Sequence, residues 1–229
     1  MQQYDEKYFK KVSAYKRVGG YEKIKTGVLA YYEATFGLVR SVFPDILDGE
    51  GKTALEVGCA FGYGVDLLGI QGFEAYGCDV SFYAIMKARE LSGRTNKFKV
   101  IDVMIPQILS ENFLKRFDLV TCFDVLEHLS NPLIAIDNIF SILNPGAFML
   151  MATPNPCSLS PFKFLGKDPT HVNEREPLFW KSLMHKAGFS EINVITVHPM
   201  PLLHRFIKRQ MFMKAPELIG YKTIIIGKK

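Results

Sequence analysis

The chain has 229 residues, a mass of 26.0 kDa, 48% hydrophobic and 22% charged residues, and a formal net charge of +5. Those figures exclude a disordered or fibrous chain, and at this length folding buries roughly 70% of the unfolded surface without disulfide or metal staples. Apolar runs such as 147–152 fall far short of the about 20 residues of a membrane span, so a spanning helix is excluded. The start, MQQYDEKYFKK, lacks a signal peptide's apolar core, and a cytoplasmic protein is expected. Cys59, Cys78, Cys122 and Cys157 have no metal spacing and are expected as reduced, unpaired thiols. The mild positive charge permits an acidic partner, but a solvated basic surface explains it as well.

Residues 2–43 carry helical patterning rich in Tyr, Phe and Lys, interrupted at Gly19-Gly20. Pro44 and the run Asp48-Gly49-Glu50-Gly51 break that pattern. Short apolar strands then alternate with helical stretches: strands at 53–58, 74–79, 97–101, 117–122 and 147–152, helices near 62–70, 81–91, 107–115 and 131–143. A helix over 176–187, a strand over 191–197, a basic amphipathic helix over 202–214 and a strand over 221–227 complete the reading. Such alternation predicts βαβ units. The expected fold is α/β, a Rossmann-like seven-stranded, mostly parallel sheet with helices on both faces and a helical N-terminal cap. The cap takes 1–44 and the main domain 45–229, with substrate loops at about 157–175 and 198–220.

In open α/β sheets ligands bind beyond the carboxyl ends of the strands. The stretch Glu56-Val57-Gly58-Cys59-Ala60-Phe61-Gly62-Tyr63-Gly64 stands at the first such end, where glycines permit a tight turn and the next helix offers free N–H groups. A dinucleotide fingerprint would need G-x-G-x-x-G, but from Gly58 the later positions are Ala60 and Tyr63. A phosphate loop is also a poor match, because Gly51-Lys52-Thr53 precedes the strand and Ile46 stands where its first glycine should be. A turn that serves only strand–helix packing is the alternative without a ligand.

The run LEVGCAFGYG resembles motif I of the class I S-adenosylmethionine (SAM) dependent methyltransferases, with Ala60 in place of the middle glycine. The resemblance extends to Asp79, Asp102 and Phe117-Asp118-Leu119-Val120-Thr121-Cys122-Phe123-Asp124-Val125-Leu126-Glu127-His128-Leu129. The last stretch resembles a segment of small-molecule methyltransferases, including the O-methyltransferases of quinone biosynthesis. Asn144-Pro145-Gly146 and Thr153-Pro154-Asn155-Pro156 continue the likeness. It implies SAM as cofactor, held by Glu56, Gly58, Cys59, Ala60, Gly62, Asp79, Val80, Asp102, Val103 and Phe123, with Asp79 on the ribose hydroxyls and Asp102 near the adenine amine. Helix capping competes for Asp79.

For a hydroxyl acceptor the resemblance implies a base near the methyl group, and His128 and His171 are the candidates. A structural histidine opening a helix is the other reading of His128. Asp124, Glu127 and His128 match a segment with which some relatives bind a divalent metal, but a hydrogen-bonded helix start explains them equally, and no metal is expected. Cys157 follows a proline, as cytosine-C5 enzymes require of their nucleophile, but lies after the wrong strand. The expected partner is a small-molecule acceptor, not a nucleic acid, with weak surface association through 204–214 as an option and a monomer or homodimer as the assembly. The competing readings are an NAD(P)-dependent oxidoreductase and a SAM-binding module without turnover. The aromatic N-terminal segment, Tyr4 to Tyr32, is expected to cover the site, with ordinary core packing as its rival.

Overall fold

A computed structural model describes residues 4–11, 15, 19–93, 97–159, 168–199 and 212–229. Its strands are β1 (Thr53–Val57), β2 (Glu74–Asp79), β3 (Phe98–Val100), β4 (Phe117–Phe123), β5 (Leu143–Pro154), β6 (Ser190–Pro199), β7 (Phe212–Lys214) and β8 (Lys222–Lys228). The helices are α1 (Glu6–Lys11), α2 (Lys25–Arg40), α3 (Tyr63–Ile70), α4 (Phe82–Ser92), α5 (Ile108–Asn112), α6 (Pro132–Ile142) and α7 (Pro177–Lys186).

The strands form one sheet in the order β3-β2-β1-β4-β5-β8-β6-β7. The first five are mutually parallel, and β8, β6 and β7 pair antiparallel beyond them. The sheet therefore has eight strands where seven were expected. The additional strand is β7, whose Phe212 and Lys214 pair with Pro199 and Val197. Residues 212–214 were expected to end a basic helix; edge pairing satisfies their backbone as strand instead. The rest of that expected helix lies outside the described residues.

Smaller differences have local causes. Helix α5 is shorter than 107–115 because Phe113 turns extended and buries itself, ending the helix. Strand β5 starts at Leu143, not at 147, since Leu143 already pairs with Phe117; a register shift then accommodates Asn144-Pro145-Gly146, with Gly146 at φ 78°. Asn144-Pro145-Gly146 thus forms an irregularity within a longer strand.

Alternation along the strands divides the core between two faces. Leu55, Val57, Val120, Cys122, Met149 and Met151 pack against Ile136 and Ile139 of α6 and Trp180 and Met184 of α7. On the other face Ala54, Leu119, Leu150 and Ile224 meet Phe36 and Val39 of α2, Leu68 of α3 and Ile85 of α4. Each such large side chain contributes about 1.5–3 kcal/mol on burial. The N-terminal region thus divides in two: α2 is a layer of the sheet's own core whose Val28, Tyr31 and Tyr32 also line the cavity over the strand ends, and the residues before it form a separate aromatic cluster.

Register decides what those layers present at the sheet's top. Val57 aligns with Cys78 on one side and Cys122 on the other. The carboxyl ends of β1, β2 and β4 therefore finish level, with Gly58, Asp79 and Phe123 side by side where the chain order reverses. The four cysteines are free thiols, three of them buried. Among the described residues no helix is long and apolar enough to cross a membrane.

Candidate active site

The turn after β1 is built by backbone geometry. The amides of Gly58 and Cys59 both donate to the Cys78 carbonyl, at 2.8 and 3.0 Å. Gly58, Ala60 and Gly62 then adopt positive φ of 75°, 45° and 81°. A Cβ on Gly58 would stand 2.1 Å from Val125 Cγ2, so the corner needs both the conformation and the absent side chain. Ala60 takes the left-handed conformation without glycine's freedom, a strain of about 1–2 kcal/mol, at the position where the motif carries its middle glycine.

Asp79 ties this turn to the end of β2. Its Oδ2 accepts the Ala60 amide at 2.9 Å and its Oδ1 the Ser81 amide at 2.8 Å. The cap of α4 is Ser81, whose hydroxyl oxygen accepts the Ala84 amide at 3.0 Å. Asp79 is thereby released from the capping role that competed for it. Each of its oxygens retains acceptor capacity, and burial raises its pKa despite the amides that lower it.

A cavity of about 650 Å³ opens over these strand ends, within the usual span of ligand sites of about 300–1,000 Å³. Of the residues expected at the site, Gly58, Ala60, Asp79, Val80, Asp102, Val103, Phe123 and His128 line it. Asp102 also accepts the Met104 amide at 2.9 Å, which fixes the loop after β3. Glu56, Cys59, Gly62 and His171 are not among the lining residues. Glu56 is buried behind the corner and accepts the Tyr32 hydroxyl; burial pushes its pKa up to about 8. Cys59 is buried beneath the turn, and Gly62 caps α3. Tyr4, Tyr8, Phe9, Tyr15 and Tyr21 also line the cavity and pack on one another, mostly edge-on, with Phe9 and Tyr21 against Phe61.

The two histidines stand together. Their ring centroids are 4.6 Å apart at 79°. His171 meets Glu174 Oε1 through Nδ1 at 2.7 Å, and His128 meets the Thr170 hydroxyl through Nδ1 at 2.8 Å. Burial, then the facing His171, lowers the His128 pKa. Glu127 beside it is fully buried, and neither carboxyl oxygen has a hydrogen-bond partner among the described residues. Burial, then the Asp124 charge, raises its pKa well above the carboxylate range. Glu127, His128 and His171 bring ligand atoms within 4.8 Å of one another, a donor set suited to a divalent ion. Asp124, weighed with Glu127 and His128 in the sequence, instead pairs with Lys222.

Two contributors escaped sequence reasoning. Thr170 reaches His128 across 42 positions and Lys222 reaches Asp124 across 98. Neither was assigned a role, although Thr170 lies in the Asp168-Pro169-Thr170-His171 segment that resembles the family's D-x-x-H stretch, and only the packing of the 168–176 loop and β8 brings them in.

Residues 31–194 match a family model described as a methyltransferase domain. The chain is similar to a probable S-adenosylmethionine-dependent methyltransferase of Mycolicibacterium smegmatis, 28% identical over 141 residues, covering 61% of this chain and 52% of that protein. It is also similar to a ubiquinone biosynthesis O-methyltransferase of Psychrobacter arcticus, 27% identical over 173 residues, with 68% and 66% covered. The matched stretch thus spans about half to two thirds of the length of these curated relatives. A SAM-dependent methyltransferase from Archaeoglobus fulgidus shares the fold, with a TM-score of 0.63 at 21% identity over 86% of this chain and 94% of that one. Since the matched model spans well over half of the sequence, this chain belongs to the methyltransferase-domain family.

Proposed function

We propose that this chain is a SAM-dependent methyltransferase that moves the methyl group to a small-molecule acceptor, at a hydroxyl oxygen. The observation that carries the reading is the single cavity in which the Gly58 corner, the carboxylates of Asp79 and Asp102, and His128 all meet. Its donor set fits the cofactor: Asp79 holds two backbone amides yet keeps lone pairs for a ribose diol. Family membership argues against the nicotinamide alternative.

When bound, SAM supplies a sulfonium methyl already activated for displacement. What remains for the protein is alignment, exclusion of water and removal of the acceptor's proton. Asp79, with Asp102 on the neighbouring loop, holds the nucleoside end. The rings of Tyr4, Tyr8, Phe9 and Tyr21 exclude water above it. His128, neutral because burial and His171 oppose its charge, takes the proton from the acceptor hydroxyl. The enclosure, with its aromatic cover, supports a small acceptor over a polymer.

Equilibrium dialysis with labelled SAM and with NAD tests the cofactor, using the wild type, Asp79→Ala and Gly58→Val. SAM retention by the wild type alone supports the reading; equal retention by both variants, or preference for NAD, overturns it. Release of S-adenosylhomocysteine across a panel of hydroxylated acceptors separates an enzyme from a binding module.

A further inference from the structure

Resting on that reading, we propose that Thr170, itself fixed by Asp168, is a positioning residue that holds the His128 imidazole with its proton on Nδ1, leaving Nε2 as the basic nitrogen. The Thr170 hydroxyl donates to Asp168 Oδ1 at 2.6 Å, and the Thr170 amide donates to the same oxygen at 2.9 Å. Asp168 Oδ2 accepts the Tyr8 hydroxyl at 3.2 Å. An ionised carboxylate only accepts. Burial works to raise the Asp168 pKa, but the Thr170 donors outweigh it and hold the group below its ordinary value.

With its one proton committed to Asp168, the Thr170 oxygen can only accept from His128 Nδ1, 2.8 Å away. The Thr170 carbonyl, 3.3 Å from the same nitrogen, is likewise an acceptor. Two acceptors facing Nδ1 place a hydrogen there. A neutral imidazole has one N–H, so Nε2 keeps its lone pair. His128 lines the cavity, and Tyr4 packs edge-on against its ring with centroids 5.9 Å apart. The chain Asp168–Thr170–His128 thus runs from the loop after β5 to the end of β4. Tyr8 joins it to the N-terminal cover.

Thr170→Val keeps the shape of the side chain and deletes the hydroxyl; Thr170→Ser keeps the hydroxyl. The decisive measurement is the imidazole nitrogen spectrum of 15N-histidine-labelled full-length protein, with His128 assigned by its loss in His128→Gln. The expected result is the Nδ1–H tautomer in the wild type and in Thr170→Ser, and a shift toward Nε2–H in Thr170→Val. In turnover, kcat in Thr170→Val falls by about tenfold or more, bounded above by the about 10²–10⁴ that a general base supplies. KM for SAM stays within about twofold and Thr170→Ser restores the rate. A wild-type His128 carrying its proton on Nε2 overturns the inference, as does an unchanged tautomer in Thr170→Val. The spectrum needs no acceptor, so a protein that releases no S-adenosylhomocysteine would defeat the functional reading while the tautomer is still decided.

Discussion

The corner at Gly58 makes the sharpest quantitative test of the site's architecture. Gly58→Ala places a Cβ at φ 75° and 2.1 Å from Val125 Cγ2. The left-handed conformation costs an alanine about 1–2 kcal/mol, and forcing a methyl into packed space adds about 1–3 kcal/mol. A loss of about 2–5 kcal/mol follows, read as a shift of the urea midpoint at constant slope. The two parts are separable. Val125→Ala removes the colliding methyl and leaves Val125 Cβ at 3.4 Å, an ordinary contact distance. The double variant should recover the steric share, a coupling of about 1–3 kcal/mol, and retain the conformational one. Gly58→Ala within about 0.5 kcal/mol of wild type would refute a corner that is both left-handed and crowded. Absence of coupling to Val125 would refute the contact alone.

The same turn predicts the opposite sign two residues on: Ala60→Gly relieves strain at φ 45°, and after the extra unfolded-state freedom it should stabilise by up to about 1 kcal/mol, raising Tm by about 2–4 °C. For Glu56, burial raises the folded-state pKa from 4.5 to about 8. Its contribution is therefore complete below the unfolded value and lost as pH rises through about 8, a difference of roughly 4–5 kcal/mol. Glu56→Gln should flatten that decline between about pH 5 and pH 9, and parallel stability curves for the two proteins would contradict the assignment. In the pair Lys222–Asp124 the side chains are 16% and 39% exposed, so Asp124→Asn, which strands the more buried charge, should cost about 1–3 kcal/mol, and Lys222→Met less. Chemical denaturation of both variants measures the order, and a reversed order would count against it.

Much of the site was legible because it depends on sequence-local geometry. The left-handed residues Gly58 and Gly62, with Asp79 closing the next strand, are consequences of how a parallel strand feeds a helix. Their spacing is visible in one dimension. Glu56 was legible as a residue type but not as a position, because strand alternation turns it away from the cavity and toward Tyr32. His171 was legible as a candidate base, but its place was not: in the loop after β5 it packs edge-on against His128, an arrangement that depends on how the loop folds back onto Glu127, whose carbonyl accepts the Val172 and Asn173 amides at 3.0 and 2.9 Å.

The amino-acid sequence by itself determined the α/β alternation, the strand-end carboxylates and the two histidines, since periodicity and turn chemistry act between near neighbours. Only the tertiary structure decided that Thr170 and Asp168 face His128, that Lys222 reaches Asp124 and that Phe212–Lys214 adds an eighth strand. Those contacts join residues far apart in the chain. They follow from which sheet edge is open and which loop packs back, quantities that no local pattern encodes.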